Sequence, residues 1–271
     1  MRNGPVPKNF DMASAQPDLV SVPTEVNQGK PGEQLLYLYT DLETDNLSGK
    51  YLLQIAAVTS TNLKFNVFIN PQKPLALSTT GFLGIYWYQG DIYRDGLRLN
   101  SKNIVDALQA FMSWIKRLEQ PVMLVFHNGF CFDSLVLTNK LVYFNIAIPS
   151  NLKYIADTLP FFRRNIKPPV IQNHKLATLA SFFNIEVERS HDALSDCDTL
   201  RSICESYVKV NNIEISEIFK HNSRNFEDYI SKITIGTPLP KLYKPRPKKA
   251  PKKKETSEKL STKTESQNET K

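Results

Sequence analysis

The sequence predicts an α/β domain built as a mixed five-stranded sheet with helices on both faces. Two observations carry this. Three apolar runs, residues 35–41, 51–59 and 63–69, follow one another across short polar turns, the pattern of an antiparallel meander. Two further short runs, 122–126 and 153–157, are then interleaved with segments whose apolar residues recur at helical spacing.

Residues 1–33 are polar and punctuated by Pro5, Pro7, Pro17, Pro23 and Pro31, and read as a disordered leader. After the strand at 35–41, Asp45-Asn46 marks a turn, because asparagine tolerates positive φ. The strand at 63–69 ends at Asn70-Pro71, and residues 72–100, with the cluster Tyr86-Trp87-Tyr88, read as loop. From Ser101 as N-cap to Leu118, the residues Ile104, Leu108, Phe111, Met112 and Ile115 trace one helix face, and Pro121 stops it. The buried strand 122–126 runs into His127-Asn128-Gly129, and a helix begins at Asp133. Helices over 176–183 and 193–208 complete a domain spanning 34–210. Residues 211–240 read as a peripheral helical extension and 241–271 as a disordered basic tail.

With 41% hydrophobic and 10% aromatic residues, the chain can bury one substantial core. Its net charge of +7 resides in the tail, where 241–271 holds 11 basic and 4 acidic residues. The preceding 240 residues carry 23 of each sign. That tail suggests an acidic partner: nucleic acid, or import factors that read basic segments. Cys131, Cys197 and Cys204 form no CxxC pair, which argues against a zinc site and fits a reducing compartment. No apolar run approaches the roughly 20 residues needed to span a bilayer. The expectation is an intracellular protein without a membrane partner, in the nucleus or cytoplasm, the tail favouring the nucleus.

The chemistry-bearing residues begin with Asp41 and Glu43. In a strand they leave the same face, about 7 Å apart. Two carboxylates side by side on a buried strand repel and are costly to desolvate unless a divalent cation lies between them. Asp133 follows the strand that ends in His127-Asn128, and His191 and Asp196 enter the last long helix. Their five-residue step does not share a helical face, so His191 is expected on the preceding loop, reaching back toward the carboxylates. Small Ala193 would let that loop pack closely. Other candidates have plainer readings: His127 in packing, His174 and His221 at the surface, Asp157 tying a turn, and Trp87, Trp114, Phe161 and Phe162 in the core.

Asp41-Leu42-Glu43-Thr44, His127-Asn128-Gly129-Phe130-Cys131-Phe132-Asp133 and His191 through Asp196 resemble, in order, the three motifs of the DEDDh superfamily of 3′-to-5′ exonucleases. The resemblance covers roughly 170 residues and implies a ribonuclease H-like fold. His127-Asn128-Gly129 and the chain length are similar to the three-prime repair exonucleases and to the exonuclease-like C-terminal domain of promyelocytic leukaemia protein.

The family likeness implies hydrolysis of phosphodiester bonds at DNA or RNA 3′ ends, DNA favoured, releasing nucleoside 5′-monophosphates. It implies two Mg²⁺ or Mn²⁺ ions: Asp41 bridging both, Glu43 and Asp196 completing one, Asp133 holding the second through water. His191 would take the proton of the attacking water. Thr44, Leu83, Gly84, Ile85 and Asn128 would contact the terminal nucleotides. A homodimer is allowed. A catalytically silent nucleic-acid- or protein-binding module is the alternative. One departure stands out: many members have glycine in the turn after Glu-Thr, where Asp45-Asn46 here adds a negative charge beside a site that must bind phosphate.

Overall fold

Alternation along the first strand decides the layering. In β1 (Leu36–Thr44), Leu36, Leu38 and Leu42 enter one hydrophobic cluster, while Tyr39 enters the cluster on the opposite face. Period two therefore sends Asp41 and Glu43 to the Tyr39 face. The computed structural model describes residues 34–45, 49 and 51–233. The leader 1–33 and the tail 241–271 lie outside the described residues.

β1 pairs antiparallel with β2 (Leu52–Thr59), and β2 with β3 (Lys64–Ile69), as the meander predicts. Residues 72–100 are not plain loop. They hold α1 (Leu77–Leu83) and a separate three-stranded sheet of β4 (Ile85–Tyr88), β5 (Asp91–Arg94) and β6 (Leu97–Arg98). The two turns of this sheet have positive φ at both central residues, Gln89-Gly90 and Asp95-Gly96, the geometry that matches the twist of a two-residue hairpin.

β7 (Ser101–Lys102) then pairs with β3, so Ser101 is not the cap of the following helix. α2 (Ile104–Arg117) starts instead at Asn103, whose side chain accepts from the Asp106 backbone N–H at 2.9 Å. β8 (Val122–Phe126), α3 (Asp133–Tyr143) and β9 (Leu152–Asp157) follow as expected. α4 (Leu159–Asn165) is not among the expected helices; Pro160 occupies its first turn, where a missing N–H costs nothing. α5 (Leu176–Phe182) and α6 (Ala193–Asn211) lead to α7 (Ser216–Phe219), β10 (Ser223–Asn225) and α8 (Phe226–Ser231).

The main sheet has seven strands, in the order β10-β9-β8-β1-β2-β3-β7, with β8 parallel to both β1 and β9. The five expected strands are its centre. The two additions, β7 and β10, are edge strands of two and three residues, too short to show alternation.

Helices cover both faces. α2, α3 and α8 pack on the Leu38 side, where Phe111, Phe126, Leu137 and Phe226 are buried. α4 to α7 pack on the Tyr39 side around Phe162, Leu179, Ile203 and Phe219. Where α6 crosses β2 the contact is made by small residues, Ala193 and Cys197 against Ala56 and Val58. The Cys197 thiol donates to the Ala56 carbonyl at 3.4 Å. Cys197 and Cys204 are buried, as apolar filler would be. Small residues allow a close helix–sheet approach, and that approach brings the first turn of α6 to the carboxylates of β1.

Candidate active site

Asp41 and Glu43 lie opposite Ala56 and Gln54 in the β1–β2 register, and the pairing shifts between Glu43 and Thr44. A bulge at this point ends regular pairing and re-aims the strand end. Asp45, just past the bulge, is buried; its carboxylate accepts from the Tyr51 N–H at 3.1 Å, and its carbonyl accepts from the Thr79 hydroxyl. The residue that differs from the family pattern serves as a turn tie.

Asp133 is positioned by the turn after β8. Asn128 takes the left-handed region at φ 66°, and a single 3-10 turn, Gly129–Cys131, delivers the chain to α3. Asp157 pins this turn: its carboxylate accepts from Asn128 N–H (2.8 Å), Phe130 N–H (3.1 Å) and Leu159 N–H (2.9 Å). Asp157 is thus a structural anchor, as its sequence context implied.

Gly129 is required for space. A Cβ there would lie 2.2 Å from the Phe126 Cβ and 2.7 Å from its Cγ. Gly129→Ala is expected to destabilise the fold by about 1–3 kcal/mol, read as a fall in Tm. An unchanged Tm would show that the turn does not constrain Asp133.

His191 sits on the loop before α6 with φ 60°, and its backbone N–H donates to the Asp196 carboxylate at 3.2 Å. That bond spans the five-residue step that no helical face could. Ligand atoms of Glu43, His191 and Asp196 lie within 4.8 Å of one another. Among the described residues, this is where carboxylate and imidazole donors from separate elements converge.

The electrostatics follow from crowding. Burial raises Glu43 to about 8, aided by Asp196 and Asp133, while Arg94 opposes the rise. Burial raises Asp133 to about 7, against hydrogen bonds from its own backbone and from that of Leu42. Asp196 is raised to about 6 by burial, with Asp192 adding to the shift and the His191 bond opposing it. Asp41 stands well above the usual carboxylate range through burial, then the charges of Asp133, Glu43, Asp196 and Asp192. Burial lowers the His191 imidazole, which favours its neutral form near pH 7. A set of clustered oxygen donors that resist ionisation together fits a hard divalent cation.

Three residues at this site escape sequence reading. Asp192 caps α6, accepting from Leu194 N–H (3.1 Å) and Ser195 N–H (3.2 Å). Arg94, from β5, pairs with the same carboxylate. Gln54 donates to it at 3.4 Å and accepts from the Ala193 N–H at 3.3 Å. Of these, only the capping position of Asp192 before an apolar-periodic run is a sequence signal.

The expected nucleotide contacts fare unevenly. Thr44 is half-buried at the bulge, and Asn128 is exposed beside the Asp133 turn. Leu83 is only 7% exposed and Ile85 fully buried, both packed with Leu53 and Ile92. Their side chains therefore turn into the hairpin core, and Gly84, at φ 68°, ends α1. Phe82, 62% exposed, is the side chain that faces outward here, its ring 3.9 Å from that of His191. Trp87 packs on the same small core, and Trp114 stacks on Phe111 and packs at a tilt against Phe65. His127 is held by Thr158 (2.8 Å) and donates to the His174 carbonyl (2.7 Å), a packing role. His174 is not simply a surface residue, because its ring donates to the Ile166 carbonyl at 2.6 Å.

No family model matches the chain. Among curated proteins it is 29% identical over 204 residues to a DNA polymerase III PolC-type of Listeria innocua, covering 73% of this chain and 13% of that protein. It is 30% identical over 198 residues to a DNA polymerase III PolC-type of Streptococcus sanguinis, covering 71% and 12%. The chain thus spans about an eighth of the length of the curated relatives it matches. Solved structures of similar fold include exonuclease I (TM-score 0.52, 19% identity, 69% of this chain and 43% of that one). The zinc-bound E. coli exonuclease I–ssDNA complex is another (TM-score 0.53, 17% identity, 69% and 42%). The narrower likeness to the three-prime repair exonucleases and the promyelocytic leukaemia protein rests on the second motif and the chain length alone. The broader likeness rests on the fold, these relatives and three motifs in chain order: the chain is similar to the DEDDh superfamily of 3′-to-5′ exonucleases and shares the fold of exonuclease I.

Proposed function

We propose that this chain is a divalent-metal-dependent 3′-to-5′ exonuclease that hydrolyses the terminal phosphodiester of a DNA strand and releases a nucleoside 5′-monophosphate. The observation that carries the reading is the convergence of Glu43, His191 and Asp196 within 4.8 Å, from a strand, a loop and a helix. Asp41, Glu43, Asp133 and Asp196 would hold Mg²⁺ or Mn²⁺ ions. Such ions, when bound, activate water and neutralise charge on the entering and leaving oxygens. His191 accepts the proton of the attacking water, since its imidazole is lowered toward the neutral form and stands beside the carboxylates. Exposed Phe82 offers a face to the terminal base next to the reacting bond, in place of the buried Leu83 and Ile85.

DNA is favoured over RNA because the curated relatives are named DNA polymerases and E. coli exonuclease I was solved with oligonucleotides of deoxyadenosine. The test uses end-labelled single-stranded DNA, duplex DNA and RNA side by side, with Mg²⁺, with Mn²⁺ and with chelator. Mononucleotides should appear from the 3′ end of DNA and only with metal. Binding of 3′ ends without release in either metal would replace the enzyme by a binding module.

A further inference from the structure

The insert formed by α1 and the β4–β5–β6 sheet touches the His191 loop at three places. The Phe82 ring packs on the His191 ring at 3.9 Å. Asp95, in the second hairpin turn, pairs with Arg189, and Arg94 pairs with Asp192. These contacts are not equal. Arg189 and Asp95 are both more than half exposed, and an exposed pair holds little.

Arg94 is 6% exposed and Asp192 17%, so that pair is largely removed from water. Breaking it would leave a charge buried without its partner, which is far costlier than losing a surface bridge. The Arg94 guanidinium also lies 5.1 Å from the Phe68 ring centroid, and its Nε and Nη2 are buried without hydrogen-bond partners. Its hydrogen bonding to the His191 loop therefore runs through the one nitrogen bound to Asp192.

Asp192 is the residue between His191 and α6. One of its oxygens caps the helix through Leu194 and Ser195, and the other receives Arg94 and Gln54. Holding Asp192 from both sides fixes the left-handed His191 and the first turn that carries Asp196.

We propose that Arg94 is a positioning residue, and that the 77–98 insert clamps the His191 loop through it so that the imidazole stands over the carboxylates. The proposal rests on the exonuclease reading for its kinetic consequence but not for its structural one. The insert becomes part of the catalytic apparatus without touching substrate through Arg94.

The test combines kinetics with hydrogen exchange on the full chain. Arg94→Ala should lower kcat by about 10- to 100-fold, the range of a misplaced general base, with KM for a single-stranded DNA substrate changed little. In a His191→Ala background the same substitution should cost less than about 3-fold, because the group it positions is gone. Arg94→Lys should restore most of kcat, since a single donor to Asp192 is enough. Asp192→Asn keeps the helix cap but loses the ion pair, and should behave like Arg94→Ala even if the alanine variant folds poorly.

In chelator, amides of 190–196 should exchange about tenfold faster in Arg94→Ala than in the native chain, with β1 and β8 unchanged. Equal exchange would overturn the clamp even if the chain shows no nuclease activity. Fully additive losses with His191→Ala, or a rise in KM alone that lysine does not rescue, would overturn it in favour of direct substrate contact by the guanidinium.

Discussion

Glu43→Ala and Asp196→Ala will each slow Mg²⁺-dependent release of mononucleotides on the order of 10³-fold, about 4 kcal/mol of transition-state stabilisation, while the chain stays folded. Both parts of this result follow from the same geometry. Glu43 and Asp196 come from different elements and meet at one point with His191, so each supplies a donor that no neighbour replaces. Neither side chain contributes much to the core, because the apolar clusters on the two faces form without them. In chelator, removing one carboxylate relieves repulsion in the remainder, and Tm should not fall. Retained turnover in both variants would remove the site from the chemistry, whereas lost turnover with a collapsed melting transition would show only that the residues are structural.

Much of this site was legible along the chain because it depends on short-range rules. Period two alone sends Asp41 and Glu43 to one face, and the step from His191 to Asp196 excludes a shared helical face. The part that was not legible depends on pairings far apart in sequence. Arg94 and Asp192 are 98 residues apart, and nothing local to either announces the other. The insert that carries Arg94 has no strand signal in the sequence because its strands are four, four and two residues long, below the length at which alternation can be counted. Its Asp95-Gly96 pair was nevertheless a strong hairpin signal. Asp45, a charge next to a motif, also accepts from the Tyr51 backbone N–H, a tie that its place in the sequence does not announce.

Divalent metal will bind more tightly as pH rises from about 6 to about 8, and binding will release protons. Glu43 is raised to about 8 and Asp133 to about 7, so near neutrality part of this carboxylate set is protonated and must ionise to hold a cation. The same shifts set the sign of the metal-free stability. A carboxylate whose folded value is raised keeps its proton in the native state when the unfolded chain has lost it. Its contribution is then fully present below the unfolded value near 4 and is lost as pH climbs through the folded one.

The comparison that isolates this effect sets the native chain against a Glu43→Gln, Asp133→Asn double variant in chelator. The variant should melt higher at pH 8, by about 5 °C, and the gap should close toward pH 4. Calorimetry in buffers of different ionisation enthalpy should find net proton release on adding Mn²⁺ to the native chain at pH 7, and much less in the double variant. A melting gap independent of pH, or metal binding with no proton release, would mean that the carboxylates are already ionised and that crowding does not govern this site.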